Sequence, residues 1–361
     1  MPEIAAIIRL FGSAYLARFG DRLLPSHARV LRDLTACRTE VLGGHLAECD
    51  QCGHQHYSYH SCRNRSCPTC HTGDRERWLA RRRGELLPVS YFHVIFTLPA
   101  SLRELVWRHQ KQLYAVLFKA AAEALLTLTN DPRYVGGEVG ILSVLHTWTR
   151  QLGRHPHVHC LVTGGGLTTE GEWVTARKRY LAPAPALAKL FRGRFMALAR
   201  KALPEETLPN TLFETDWVVY CKPALQGSRK LLDYLGRYVH RIAITNRRIL
   251  AIHNNHVTFE YKDSRDHCWK RCTLTGEEFL RRFLCHVLPR GFHKVRYYGL
   301  LAPSRRKQLR HLQWSLAEPE EPAPAPPSEQ SETAAPQPCP VCEIGLMVFV
   351  ALIPRTPRGP P

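Results

Sequence analysis

Two Cys-x2-Cys pairs, Cys49/Cys52 and Cys67/Cys70, stand fourteen residues apart in a stretch that holds six cysteines and five histidines between positions 37 and 71. A segment of that composition has too little apolar surface to close a core by itself, so its fold must be built round metal. Thiolates two residues apart reach one ion from a tight turn, and four of them complete a tetrahedral Zn–S4 site. The spacing therefore predicts that Cys49, Cys52, Cys67 and Cys70 hold a structural Zn2+. Cys37, His45, His54, His56, His60, Cys62 and His71 are further candidates, enough for a second ion. A disulfide framework fits less well. The N-terminus MPEIAAIIRLFGSAYLARFG has no basic region ahead of a continuous apolar run, so it does not read as a secretory leader. The thiols are expected in a reducing cytoplasm, where paired cysteines bind metal more often than they cross-link.

Charge narrows the partner. Fifty Lys and Arg against thirty-one Asp and Glu leave a formal +19 on 361 residues. Such an excess points to a polyanion. No apolar run approaches the roughly 18–20 residues that cross a bilayer, so DNA is expected and a membrane is not. A cytoplasmic protein associated with the nucleoid follows. Tyr57, Tyr59, Arg63 and Arg65 interleave with the cysteines. A basic helix carrying Arg75, Arg77, Arg81, Arg82 and Arg83 runs behind them to Pro88. Both suggest that the zinc module holds DNA.

Four regions can be drawn. Residues 1–88 comprise an N-terminal amphipathic helix, with Ile7, Ile8, Phe11, Tyr15 and Phe19 inward, then the zinc-binding domain and the basic helix. Residues 89–314 alternate strand and helix patterns. Residues 315–338, rich in Pro, Ala, Ser and Glu, read as a disordered linker. Residues 339–361 are a short tail opening on CPVC. Within the large region, strands are expected at 91–98, 139–148, 158–164 and 217–221, and helices at 101–128 and 228–242. That order suits an α+β layer fold of ferredoxin-like type.

The chemistry concentrates in His155-Pro-His-Val-His-Cys160. On a strand, His157 and His159 share one face and Val158 takes the other. Two imidazoles on one face make a natural divalent-metal pair. If the strands at 139–148 and 158–164 form a hairpin turning between residues 152 and 153, position 159 faces His146, a third ligand. Downstream, LLDYLGRYVHRI places Tyr234 and Tyr238 one helical turn apart, with Arg237 and Arg241 in the same stripe. A phenol with a pKa near 10 is a weak nucleophile for a phosphodiester. A metal ion at the phosphate and neighbouring arginines would remedy that.

At these residues the chain resembles the rolling-circle transposases of the insertion-sequence-ninety-one family, within the HUH (His-hydrophobe-His) superfamily. The pieces are ACRTEVLGGHLAECDQCGHQHYSYHSCRNRSCPTC (36–70), FTLPASLREL (96–105), LHTWTRQLGRHPHVHCLVTGGG (145–166), YLGRYVHRIAITNRRI (234–249) and LPRGFHKVRYYGLLA (288–302). CPVCEIGLM (339–347) also looks familial. The resemblance implies a zinc-binding N-terminal domain before an HUH nuclease domain. It implies Mg2+ or Mn2+ on His157 and His159, and Tyr234 and Tyr238 as a two-tyrosine motif. The enzyme would cut single-stranded DNA at element ends, form a 5′-phosphotyrosyl link, leave a 3′-OH and join the strand to target DNA. The tail departs from a full zinc ribbon, because no ligand follows Cys342. It is either degenerate or takes ligands from elsewhere.

Other readings remain open on sequence. A plasmid replication initiator or relaxase uses the same chemistry, but the Cys module argues against it. A non-enzymatic zinc DNA-binding protein derived from a transposase would bind without cutting. A general RNA-binding protein is disfavoured, since no RNA module is recognisable.

Overall fold

The computed structural model describes residues 2–70, 85–177, 180–224, 236, 242–263, 265–316 and 337–356. The expected basic helix with Arg81, Arg82 and Arg83 lies outside them. So do Tyr234, Arg237, Tyr238, Arg241 and most of the expected linker.

The chain opens with α1 (Ile4–Phe19) and α2 (Pro25–Thr35). α1 buries Ile4, Ile7, Ile8, Phe11 and Tyr15, an i, i+3, i+4 stripe. Phe19 packs only at its edge. Pro25 opens α2 where a missing N–H costs nothing. A hairpin, β1 (Gly44–Cys49) and β2 (Gln55–Tyr59), follows. Then comes β3 (Tyr91–Thr97), an almost wholly apolar strand. The helix expected over 101–128 is two helices, α3 (Arg103–Arg108) and α4 (Gln110–Thr129). Between them His109 leaves helical geometry, and its ring joins Arg108 on the Glu206 carboxylate.

Two long strands, β4 (Glu138–Trp148) and β5 (Arg154–Leu167), form the expected hairpin. After them run β6 (Trp173–Thr175), α5 (Ala184–Ala202) and β7 (Val219–Pro223). A second meander, β8 (Ile249–His253), β9 (His256–Lys262) and β10 (Trp269–Thr275), leads into α6 (Gly276–Leu284). Finally β11 (Val295–Gly299), α7 (Arg306–Ser315) and β12 (Met347–Ile353) complete the order.

The main sheet runs β11-β4-β5-β3-β7, with β6 added to β5. Every adjacent pair is antiparallel. In chain order four of its strands, β3, β4, β5 and β7, and its two long helices read strand, helix, strand, strand, helix, strand. One face of the sheet, with Phe96, Leu145 and Val158, packs on Phe118, Phe191 and Phe195 of α4 and α5. That packing fixes the sheet as a platform; on its other face Leu142, Val144 and Leu161 pack against Leu309 and Leu312 of α7.

A second core joins α1 and α2 to β9 and α6, and includes Cys67 of the zinc module and Leu152 of the β4–β5 turn. α6 and α1 cross so closely that a Cβ at Gly276 would collide with the Phe11 ring. β12 pairs antiparallel with β1, giving a small sheet β12-β1-β2. The tail is therefore part of the N-terminal module. No helix among the described residues is long and apolar enough to cross a membrane.

A histidine-lined sheet face and two cysteine quartets

Residues directly opposite on paired strands share a face, so the register builds the site. Three rows cross the sheet on the side away from α4 and α5. The first holds His146, His157 and Thr97. The second holds Val144, His159, Ile95 and Tyr220, and the third Leu142, Leu161, His93 and Lys222. His146, His157 and His159 thus converge, with one ring nitrogen of each lying within 4.8 Å of the others. The expected trio is assembled, but not by the expected pairing: His146 faces His157, and His159 faces Val144. The cause is the turn. Leu152 adopts φ +62° and a bulge falls between His146 and Trp148, so the pairing slips by two residues. An even slip keeps every side chain on its face.

The ring environments are specific. His146 is 2% exposed and lies against Trp148, centroids 4.7 Å apart. The Nδ1 of His157 donates to the carbonyl of His155 at 2.6 Å, which points Nε2 the other way. The Nδ1 of His159 meets Nε2 of His93 at 2.9 Å. Burial holds the His93 imidazole well below its usual range, at about 4, so it is neutral at physiological pH. Along the same face, the Lys222 ammonium lies 4.9 Å from the Tyr220 ring centre, and Lys294 sits 5.4 Å from that of Trp148. In sequence, β7 precedes the residues around Tyr234 and Tyr238, which lie outside the described ones.

The cysteines fall into two quartets, and neither is the expected one. Cys67 and Cys70 join Cys37 and Cys62, whereas Cys49 and Cys52 join Cys339 and Cys342 of the tail. The predicted single site on Cys49, Cys52, Cys67 and Cys70 is corrected to these two groups. In the first, sulfurs approach at 3.5 Å (Cys37–Cys70), 3.6 Å (Cys62–Cys70) and 3.7 Å (Cys37–Cys67). In the second they approach at 3.6 Å (Cys49–Cys342) and 3.7 Å (Cys52–Cys339). Disulfide sulfurs would stand about 2.05 Å apart. A tetrahedral ion with Zn–S bonds of about 2.3 Å holds its sulfurs roughly 3.8 Å apart, so both quartets fit zinc. Backbone N–H groups support the thiolates: Gln51 and Cys52 donate to Cys49, Asn64 to Cys62, Val341 to Cys339 and Gly345 to Cys342. Gly345 must be glycine, since a Cβ there would strike the Cys49 sulfur.

Arg65, expected from sequence to help hold DNA, has another occupation, and Asn246 has a structural one. Arg65 directs its guanidinium at the carbonyls of Leu288, Phe292 and Pro289, at 2.7, 2.7 and 2.9 Å. It ties the zinc module to the loop before β11. Asn246, close to the tyrosine segment, accepts from the Ile4 N–H and donates to Thr69 Oγ1. His93 was not foreseen as a partner; Cys37 and Cys62 were among the candidates for a second ion, and the tail pair does find its partners elsewhere, in Cys49 and Cys52. His93 had one signal, a polar residue at the parity of Ile95 and Thr97 in an otherwise apolar strand.

The comparisons with known proteins give the class: a transposase with an N-terminal zinc-binding domain. A family described as "Transposase zinc-binding domain" matches residues 7–98, and one described as "Putative transposase" matches residues 140–309. The chain is 38% identical to "Putative transposase y4qJ" of Sinorhizobium fredii (strain NBRC 101917 / NGR234), over 100% of this chain and 97% of that protein. It is 32% identical to "Transposase for insertion sequence element IS801" of Pseudomonas savastanoi pv. phaseolicola, over 74% of this chain and 68% of that protein. The chain belongs to the insertion-sequence-ninety-one family of transposases. No solved structure matches it.

Proposed function

We propose that this transposase nicks single-stranded DNA at element ends by tyrosine attack and transfers the strand through a 5′-phosphotyrosyl intermediate. The observation that carries the reading is the convergence of His146, His157 and His159 on one face of an antiparallel sheet. The strand order supports an HUH domain of ferredoxin-like type.

A divalent ion held by the three imidazoles would supply a Lewis acid to a non-bridging phosphate oxygen. The donor set is all imidazole among the described residues, which suits Mn2+ better than the oxygen-seeking Mg2+. Tyr234 or Tyr238 provides the nucleophile. Its Oη forms the new bond to phosphorus while the bond to the 3′ oxygen breaks, so the leaving strand ends in a 3′-OH. The phosphodiester energy is kept in the protein link for the joining step. Arg237 and Arg241, one turn of sequence away, would balance phosphate and phenolate charge. Tyr220 and Lys222 offer a ring for a base and a cation for a phosphate beside the metal ligands. Both cysteine quartets are read as structural zinc sites.

The test is a covalent capture. End-labelled single-stranded DNA from the element's termini is incubated with Mg2+ or Mn2+ and resolved on a denaturing protein gel. A labelled band that needs metal, and is lost in the Tyr234→Phe, Tyr238→Phe double variant, is the expected result. Binding without any covalent band, with both metals and several ends, would instead mark a non-enzymatic zinc DNA-binding protein.

A further inference from the structure

His93 and His159 meet ring to ring beside the three converging imidazole nitrogens. The two residues come from different strands, β3 and β5, and stand diagonally in the register, because His159 faces Ile95 and His93 faces Leu161. Both are buried, at 8% and 9% exposure. Their planes lie within 5° of parallel, with centroids 5.1 Å apart, while Nε2 of His93 and Nδ1 of His159 are 2.9 Å apart. The centroid separation exceeds the N···N distance by roughly the reach of a nitrogen from the centre of each ring. The rings therefore meet edge to edge, nitrogen to nitrogen, in near-linear hydrogen-bond geometry. Only one proton can lie between them.

We infer that His93 is a positioning residue for the metal site, accepting the Nδ1–H of His159 and so presenting the Nε2 lone pair of His159 to the ion. The inference rests on the proposed metal role of His146, His157 and His159. For His159 to ligate through Nε2, its proton must sit on Nδ1, and that proton needs an acceptor in a buried place. Metal-ligating histidines commonly donate their second N–H to a carboxylate or carbonyl, which fixes tautomer and orientation and raises basicity. His157 follows that pattern through the His155 carbonyl. His159 does so through an imidazole on the neighbouring strand. Two of the three ligands thus have their ring orientation set by an Nδ1 contact. One contact is internal to the hairpin. The other couples the hairpin to β3.

The test uses Mn2+ alone as probe on the full-length, zinc-loaded protein. Manganese competes poorly for thiolate sites, so the cysteine quartets do not take it up. Titration calorimetry, checked by loss of the free-Mn2+ electron paramagnetic resonance signal, reads affinity for wild type, His157→Ala, His93→Phe and His93→Gln. Wild type should bind one ion, and His157→Ala should abolish it. His93→Phe, which fills the space without an acceptor, should weaken binding by about 10–100-fold. His93→Gln, whose amide oxygen can accept from Nδ1, should recover most of that loss. Wild-type affinity in His93→Phe overturns the inference and leaves the metal reading intact. Equal weakness in His93→Phe and His93→Gln overturns it too, since packing alone would then explain the loss. No uptake by wild type, indistinguishable from His157→Ala, removes the metal reading and the inference with it. Nitrogen-15 histidine spectra of wild type need no variant: a proton on Nε2 rather than Nδ1 of His159 overturns the inference directly.

Discussion

Leu152 sits at φ +62° in the turn that sets the histidine register, yet it is only 1% exposed. A bulky residue in the left-handed region costs on the order of 1 kcal/mol and persists only where its surroundings hold it. Thr149 does part of this, exchanging backbone bonds with Gly153 and Leu152. His286 does the rest. Burial pushes its pKa down to about 4, so the ring is neutral. Its Nε2–H donates to the Leu152 carbonyl at 3.0 Å, and its Nδ1 accepts from the Thr147 hydroxyl at 3.1 Å. His286→Phe keeps the volume and removes both bonds. It should lower stability by about 2 kcal/mol, read as a shift in the urea midpoint with zinc content unchanged. Arg65→Gln belongs to the same scale. Its three carbonyl acceptors would return to partial solvation, so a loss of about 1–2 kcal/mol is expected in the same melt. A DNA-contacting arginine would leave the melt unmoved and change only the salt dependence of binding.

At the scale of elements, what was legible in the sequence was local. Alternation in VGILSVLHTW and HPHVHCLVTG gives two strands whose histidines share a face. That parity survived a turn whose register was two residues away from expectation. His93 was not legible, because nothing in YFHVIFTL says which strand lies beside it; only the sheet order does. The cysteine grouping was misread for the same reason. Spacing rules weigh neighbours in sequence, and Cys52 finds Cys339 across 287 positions. The unfilled half-ribbon CPVC was the one hint. β12 pairs with β1 while its own Val348, Phe349 and Val350 are half exposed, so packing alone holds the strand weakly. Zinc held by Cys49, Cys52, Cys339 and Cys342 would close that deficit. Cys342→Ser should reduce zinc from two ions to one per chain by elemental analysis, and open residues 337–356 to limited proteolysis. Retention of both ions, or an uncut tail, would mean that the second quartet is not a metal site.

For the whole molecule, the feature that matters is neutral histidine inside a strongly basic protein. His27 and His286 lie in different parts of the chain, 4% and 9% exposed, and burial lowers each pKa from 6.5 to about 4. Unfolding releases them to their ordinary range. Between about pH 4 and 6.5 the unfolded chain binds the protons that the folded chain refuses, so stability rises with pH across that window. The contribution of each is fully present above pH 6.5 and is lost as pH falls through the window toward 4. A shift of this size is worth ~3 kcal/mol per group at most. Acid also protonates zinc-bound thiolates, which would bend the curve the same way. The two causes separate by substitution. In a His27→Leu, His286→Phe double variant the protons of these two histidines are gone, while both quartets and the buried His93 and His155, whose pKa values burial also lowers, remain. Urea denaturation at pH 5, 6 and 7 should then show a slope of stability against pH flatter than wild type by up to two protons' worth. An unchanged slope would leave His27 and His286 as bystanders and assign the acid sensitivity to the groups that remain, the cysteine sites and the sheet histidines.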